Sequence, residues 1–235
     1  MTGDLPDWLQ RLARAAGAVS ADQLSRYVQP EASGRASAVL VLFGDGPDGP
    51  DGSTGPDLLL IERATTMRSH PGQPAFPGGA TDPGDAGPAG TALREAAEEV
   101  GLEPTTVRIV AELPGLWLPP SGFVVTPVLA WWRSPHPVSA VNPAEVARVV
   151  RVPLAQLAEP VNRMSVRHPS GRLGPAFAVR GMLVWGFTAG LIDKLLSLGG
   201  WERPWNADRI AHLPTEAIER AARTTPVEEP RDATA

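Results

Sequence analysis

The sequence predicts an α/β domain in which strands and helices are mixed around one core. Three observations point to it. The run Ala38-Val39-Leu40-Val41-Leu42-Phe43 is continuously apolar over a strand's length, and Leu58-Leu59-Leu60-Ile61 follows as its hairpin partner. Thr91 to Leu102 is built of strong helix formers and reaches a glycine, Gly101, suited to a left-handed cap. From Val184 to Leu198 a second helical stripe carries Trp185, Ile192, Leu195 and Leu196.

Taken in order, residues 6 to 28 place Leu9, Leu12, Ala13 and Ala16 at helical spacing and predict a short amphipathic helix that packs on the main fold. Residues 44 to 57 connect the first two strands. Asp45, Asp48 and Asp51 of that loop are spaced by three rather than two, and the twelfth position holds Pro56, so a flexible loop is expected over a calcium loop. Val107 to Leu113, Val124 to Trp132 and Val146 to Val152 read as further strands. The tail from Ala221 has little to bury and is expected to be disordered. The organisation is thus an N-terminal helical extension (1–30), one main domain (31–220) and a tail (221–235). The stripe at 184–198 serves internal packing or a homodimer contact.

Composition narrows the classes. A chain of 235 residues can bury a substantial core. With no cysteine, disulfide frameworks and thiolate metal sites are excluded, so any metal sits on oxygen or histidine. A net charge of −5 argues against nucleic-acid binding through a broad basic surface. No secretory signal is visible and no 18-residue apolar run occurs, so a soluble cytoplasmic protein without membrane contact is expected.

Glu95, Glu98 and Glu99 cluster on the helix. With Glu95 set at 0°, Glu99 falls at about 40° and Glu98 at about −60°, while Val100, Leu93 and Ala97 fall between about 140° and 200°. Three carboxylates are therefore expected on one face opposite the buried one. Like charges at this spacing repel, and the helix C-terminus adds to the repulsion, so a compensating cation such as Mg²⁺ is called for. A solvated acidic face is the plain alternative. The glycine pair in Phe76-Pro77-Gly78-Gly79 upstream permits a turn that brings backbone against a ligand or metal, and it tips the balance.

The segment GGATDPGDAGPAGTALREAAEEVGL resembles the Nudix box, in which a glycine, five residues and an acid precede Arg-Glu-apolar-x-Glu-Glu-x-Gly-apolar. Arg94 to Leu102 match throughout. Asp85 stands where the pattern has glutamate, and eight residues rather than seven separate it from Arg94. The resemblance implies an α/β/α sandwich around a mixed β-sheet and hydrolysis of a phosphoanhydride. It also implies Mg²⁺ or Mn²⁺ on Glu98, Glu99 and the Gly79 carbonyl, with Glu95 either a ligand or the base for the attacking water. Arg94 can orient Glu95 through a forked pair of hydrogen bonds. Nudix sites often recruit a carboxylate from beyond the box; Glu145 is the candidate, a plain strand-edge glutamate the alternative.

Residues 59 to 79, LLIERATTMRSHPGQPAFPGG, are similar to the signature that precedes the box in Nudix coenzyme A pyrophosphatases. Leu59, Leu60, Arg63, Ala64, Arg68, Gly72, Phe76, Pro77, Gly78 and Gly79 fall in register, with Ile61 in place of threonine. The implied reaction splits coenzyme A or its thioesters into 3′,5′-ADP and (acyl) 4′-phosphopantetheine. Arg63, Arg68, Phe76 and Gly78 are then expected at the substrate, although both arginines also suit structural roles. Arg163, Arg167, His168 and Arg172 surround a turn that either grips a 3′-phosphate or is simply solvated. His70 reads as a loop hydrogen-bonder, and one of Trp131 and Trp132 as a stacking surface for adenine with the other in the core. Two further readings remain: hydrolysis of another nucleotide (ADP-ribose, a dinucleotide or a nucleotide triphosphate), or a silent nucleotide sensor.

Overall fold

Strand β1 (Arg35–Asp45) is apolar without interruption because both of its faces are covered. Ala38, Leu40 and Leu42 point to helix α3 (Gly87–Val100), whereas Val41 and Phe43 point to α1 (Asp7–Ala16) and α5 (Gly186–Gly199). The same alternation holds in β2 (Pro56–Arg63), where Leu59 and Ile61 oppose Leu58 and Leu60. In β7 (Phe123–Trp132), Val128, Ala130 and Trp132 oppose Leu129. One sheet between two helical layers follows, with each fully buried leucine contributing about 2 kcal/mol. The computed structural model describes residues 5–27, 34–46, 55–67, 70–119, 121–168 and 171–213. Arg68, Asp48, Asp51 and the tail from Ala221 lie outside the described residues.

The large sheet is mixed. β1 runs parallel to β7 from Arg35↔Phe123 to Gly44↔Trp132, and the remaining pairs are antiparallel. β5 (Val107–Glu112) and β6 (Leu116–Leu118) extend β7, and β8 (Val146–Pro153) extends β2. β1 and β2 pair from Phe43↔Leu58 to Asp45↔Pro56 and then part. Residues 74–80 fill the opening: β3 (Pro74–Ala75) bonds to β2, and β4 (Gly78–Ala80) bonds to β1. This wedge carries the glycine pair into the middle of the sheet.

A second sheet was not foreseen. β9 (Arg163–Arg167), β10 (Leu173–Val179), β11 (Met182–Val184) and β12 (Ile210–Ala211) pack on the α5 side. Two short helices, α2 (Ala21–Leu24) and α4 (Leu154–Ala158), complete the fold. Helix α5 begins at Gly186, one residue after Trp185, and buries Ile192, Leu195 and Leu196 within the protomer, so this stripe is not a dimer surface.

Helix α3 starts earlier than expected, with Pro88 in its first turn, and ends at Gly101 in the left-handed conformation (φ 71°). The expected buried stripe is corrected: Ala92, Ala96 and Val100 face the sheet, while Leu93 and Ala97 are half-buried. The stripe's centre therefore lies about 60° from Glu99, 100° from Glu95 and 160° from Glu98. Exposure follows that order at 7% for Glu99 and, for the side chains, 19% for Glu95 and 62% for Glu98. The carboxylates do not share one solvated face; they run from the core edge to solvent.

Candidate active site

The wedge and the helix meet at the glycine pair. Gly78 pairs with Val39 and Gly79 with Ala38, and the Gly78 N–H donates to Glu99 Oε2 at 3.0 Å. A Cβ on Gly78 would strike the Ala38 carbonyl oxygen, and one on Gly79 would strike the Glu95 carboxylate. Gly78 requires glycine because sheet backbone approaches so closely, whereas at Gly79 the neighbour is a side-chain carboxylate that a Cβ would displace. Gly78 thus orders Glu99 and pairs with β1. Phe76 is corrected: its ring is buried in the core, where it anchors the wedge.

Arg94 ties the helix to the loop that precedes it. Its Nε and Nη2 donate to Asp85 Oδ1 and Oδ2 at 2.9 and 3.1 Å, and Nη2 also reaches the Ala80 carbonyl at 3.0 Å. Nη1 contacts Glu95 Oε1 and Glu98 Oε2, each at 3.1 Å. The fork therefore lands on Asp85 rather than on Glu95, which receives a single prong. Asp85 also accepts from the Asp82 N–H and the Thr91 hydroxyl, and these bonds, the Arg94 bond foremost, hold its carboxyl well below the usual range. Asp85 is a loop anchor. Thr91 and Asp82 were missed in the sequence, where the signal was only an acid six residues before a helical hydroxyl.

The acids that remain are held against their preference for water. Burial pushes the Glu99 carboxyl up to about 7, with Glu95 and Glu145 adding to the rise and the Gly78 N–H and Arg63 opposing it. Burial also raises Glu95, against Arg94. Among the described residues, no three acidic or imidazole groups already converge on one point, and Glu95 and Glu98 each contact Arg94. The donor set nonetheless fits a hard dication: carboxylate oxygens at a partly buried edge, a backbone carbonyl at Gly79, and a cramped approach at Glu95 without room for a Cβ. Glu98, Glu99, Glu95 and Gly79 are the residues that would hold it, with Glu145 close enough to be felt by Glu99.

The signature loop borders this cluster. Arg63 N–H donates to Gln73 O and Gly72 N–H to Arg63 O, which ties residues 72 and 73 to Arg63, whose charge acts on Glu99. His70 sits in that loop at φ 51°, its imidazole pushed down by burial and by Arg63, with a hydrogen bond to Gln73 opposing. This is the loop role foreseen.

Two expected contacts lie elsewhere. Arg163 is fully buried and ion-paired with Asp193, so it does not present itself to a phosphate. Trp132 is in the core with its Nε1 on Thr106 Oγ1 at 3.1 Å, and Trp131 packs against the core on the opposite face. Trp131 pairs with Phe43, five residues up β1 from the Ala38 that meets Gly79, or roughly 16 Å away. Trp132 is thus the core member of the pair, and Trp131 the partly buried one. No helix among the described residues is long and apolar enough to cross a membrane.

The family described as NUDIX domain matches residues 34–170. The uncharacterized Nudix hydrolase NudL of Enterobacter sp. (strain 638) is 42% identical over 147 residues, covering 60% of this chain and 73% of that one. NudL of Escherichia coli (strain K12 / DH10B) is 39% identical over 147 residues with the same coverage. Among solved structures, RenU, a Nudix hydrolase from M. smegmatis, aligns over 73% of this chain and 89% of its own at 20% identity and a TM-score of 0.47. The NUDIX domain of Shewanella oneidensis NrtR, complexed with ADP ribose, aligns over 59% and 86% at 23% identity and a TM-score of 0.41. With the family match spanning more than half of the sequence and falling on the wedge and acidic helix just described, the chain belongs to the Nudix hydrolase family.

Proposed function

We propose that this Nudix pyrophosphohydrolase cleaves the diphosphate of coenzyme A or its thioesters, giving 3′,5′-ADP and (acyl) 4′-phosphopantetheine. The observation that carries the reading is that Arg63, tied by backbone bonds to Gly72 and Gln73 of the signature, exerts its charge on Glu99 at the acidic edge. A bound Mg²⁺ or Mn²⁺ supplies charge neutralisation for two adjoining phosphates. The chain's residues do the rest. Arg63, with Arg68 from the same loop, offers guanidinium groups to phosphate oxygens. Glu95, half-buried and raised by its surroundings, takes the proton of the attacking water or holds the cation. Arg94 and Asp85 fix the helix against the wedge so that these distances persist.

The test is a substrate panel with Mg²⁺ or Mn²⁺ and chromatographic identification of products. Coenzyme A should be split at the diphosphate faster than ADP-ribose, a dinucleoside polyphosphate or a nucleoside triphosphate. Far faster cleavage of ADP-ribose overturns the substrate assignment but leaves the chemistry. Glu95→Gln and Glu98→Gln should fold normally and lose most turnover. Unchanged turnover in both removes the acids from the site, and an inactive but nucleotide-binding wild type favours a sensor.

A further inference from the structure

Glu145 is exposed, yet it is held more tightly than an ordinary surface glutamate. Asn142 Nδ2 donates to its Oε1 at 3.0 Å. The Asn142 Oδ1 accepts from the Ala144 N–H at 3.0 Å, and the Asn142 carbonyl accepts from the N–H groups of Glu145 and Val146 at 3.0 and 2.9 Å. One asparagine thus closes the turn and fixes the carboxylate at its end. The turn is in turn fastened to the signature loop: Ala64 N–H donates to Glu145 O at 2.8 Å, and Thr66 Oγ1 donates to Ala144 O at 3.2 Å. These two fastenings sit one and three residues after Arg63.

We propose that Asn142 is a positioning residue of the active site, acting through Glu145: it holds one carboxylate oxygen so that the other is presented to the Glu99 edge. The inference rests on the reading that Glu145 belongs to the dication site. The amide N–H donates to one carboxylate oxygen, so the bond limits the rotamers of Glu145. Asn142-Pro143 is a turn-initiating dipeptide, so its capping role is legible in sequence; the reach of Nδ2 to Glu145 is not. Groups that orient a metal-binding carboxylate typically change affinity or activity by about 10–100-fold when removed.

Asn142→Ser separates the two roles, since the serine oxygen still accepts the Ala144 N–H but is too short to hold Glu145. Two quantities are measured in wild type, Asn142→Ser, Glu145→Gln and the double variant: Mn²⁺ affinity of the substrate-free protein by calorimetry, and kcat/KM on coenzyme A or on the best substrate of the panel. The expected result is at least a tenfold loss of Mn²⁺ affinity in Asn142→Ser at an unchanged melting temperature. The same substitution should have less than a twofold effect in the Glu145→Gln background. If Asn142→Ser binds Mn²⁺ as wild type does, or loses equally in both backgrounds, Asn142 is a turn cap alone. If Glu145→Gln leaves Mn²⁺ affinity unchanged while Glu98→Gln abolishes it, Glu145 lies outside the site and the proposal falls. Failure to cleave coenzyme A overturns the substrate reading without touching the Mn²⁺ titration.

Discussion

Arg94 and Asp85 face each other through a two-pronged ion pair, Nε to Oδ1 at 2.9 Å and Nη2 to Oδ2 at 3.1 Å, which spans the loop between wedge and helix. The planar guanidinium matches the carboxylate in a way an ammonium does not. Arg94→Lys should therefore keep the charge, lose the fork and let the helix start drift relative to Gly79. The expected outcome is a fall in kcat of about 10²-fold with a folded far-UV CD spectrum, because displacement on the order of 1 Å has that effect on aligned reactants. Wild-type kcat in this variant would show that point charge alone suffices.

Gly78 and Gly79 are adjacent and should fail differently. A methyl group on Gly78 meets the Ala38 carbonyl of the sheet, which cannot yield cheaply, so Gly78→Ala should lower stability by about 1–3 kcal/mol. On Gly79 the obstacle is the Glu95 carboxylate, the end of a flexible side chain. Gly79→Ala should melt close to wild type and lose kcat. Thermal melts beside steady-state kinetics check the contrast; equal melting temperatures for the two variants contradict it.

The sequence made the strands of the large sheet legible because a strand covered on both faces must be apolar throughout, as residues 38–43 and 58–61 are. It made the acids of α3 legible through their spacing, but not their exposure. That depended on which stripe meets the sheet, and two alanines, Ala92 and Ala96, outweighed Leu93 because a small residue lets the helix approach β1. The second sheet was hidden for another reason. Its strands β9 to β12 are two to seven residues long and carry Arg163, Arg167 and Pro175, so neither alternation nor length marks them. The wedge was seen as a tight turn, and its insertion between β1 and β2 is a tertiary event with no local signal.

Glu99 gives the metal-free protein an unusual pH dependence. Its carboxyl ionises near 4.5 in an unfolded chain and near 7 in the fold, chiefly through burial. The fold thus favours the protonated form, and this stabilisation is complete below pH 4.5 and lost as pH rises through 7. The loss is on the order of 3 kcal/mol at most. In chelator, the melting temperature should fall between pH 5 and 8; saturating Mg²⁺ should flatten that slope by favouring the carboxylate, and Glu99→Gln should abolish it. A melting temperature that rises over this interval in chelator contradicts the assignment.

Arg163 separates structure from recognition. Its side chain is fully buried, paired with Asp193 and 3.5 Å from Glu202, and its guanidinium lies 4.5 Å from the Trp205 ring and 5.3 Å from that of Phe177. Burial raises the Asp193 carboxyl, and Arg163 is the main opposing influence. Removing the cation strands that carboxylate between the second sheet and α5. Arg163→Met, similar in length and apolar, should therefore lower stability by about 3 kcal/mol while leaving the KM for coenzyme A within twofold of wild type. Arg167 and Arg172 lie on the exposed part of the same hairpin, so Arg167→Ala and Arg172→Ala should leave stability nearly unchanged. Chemical denaturation paired with KM measurements on the three variants decides the matter: a raised KM at wild-type stability in Arg163→Met would return this arginine to the substrate.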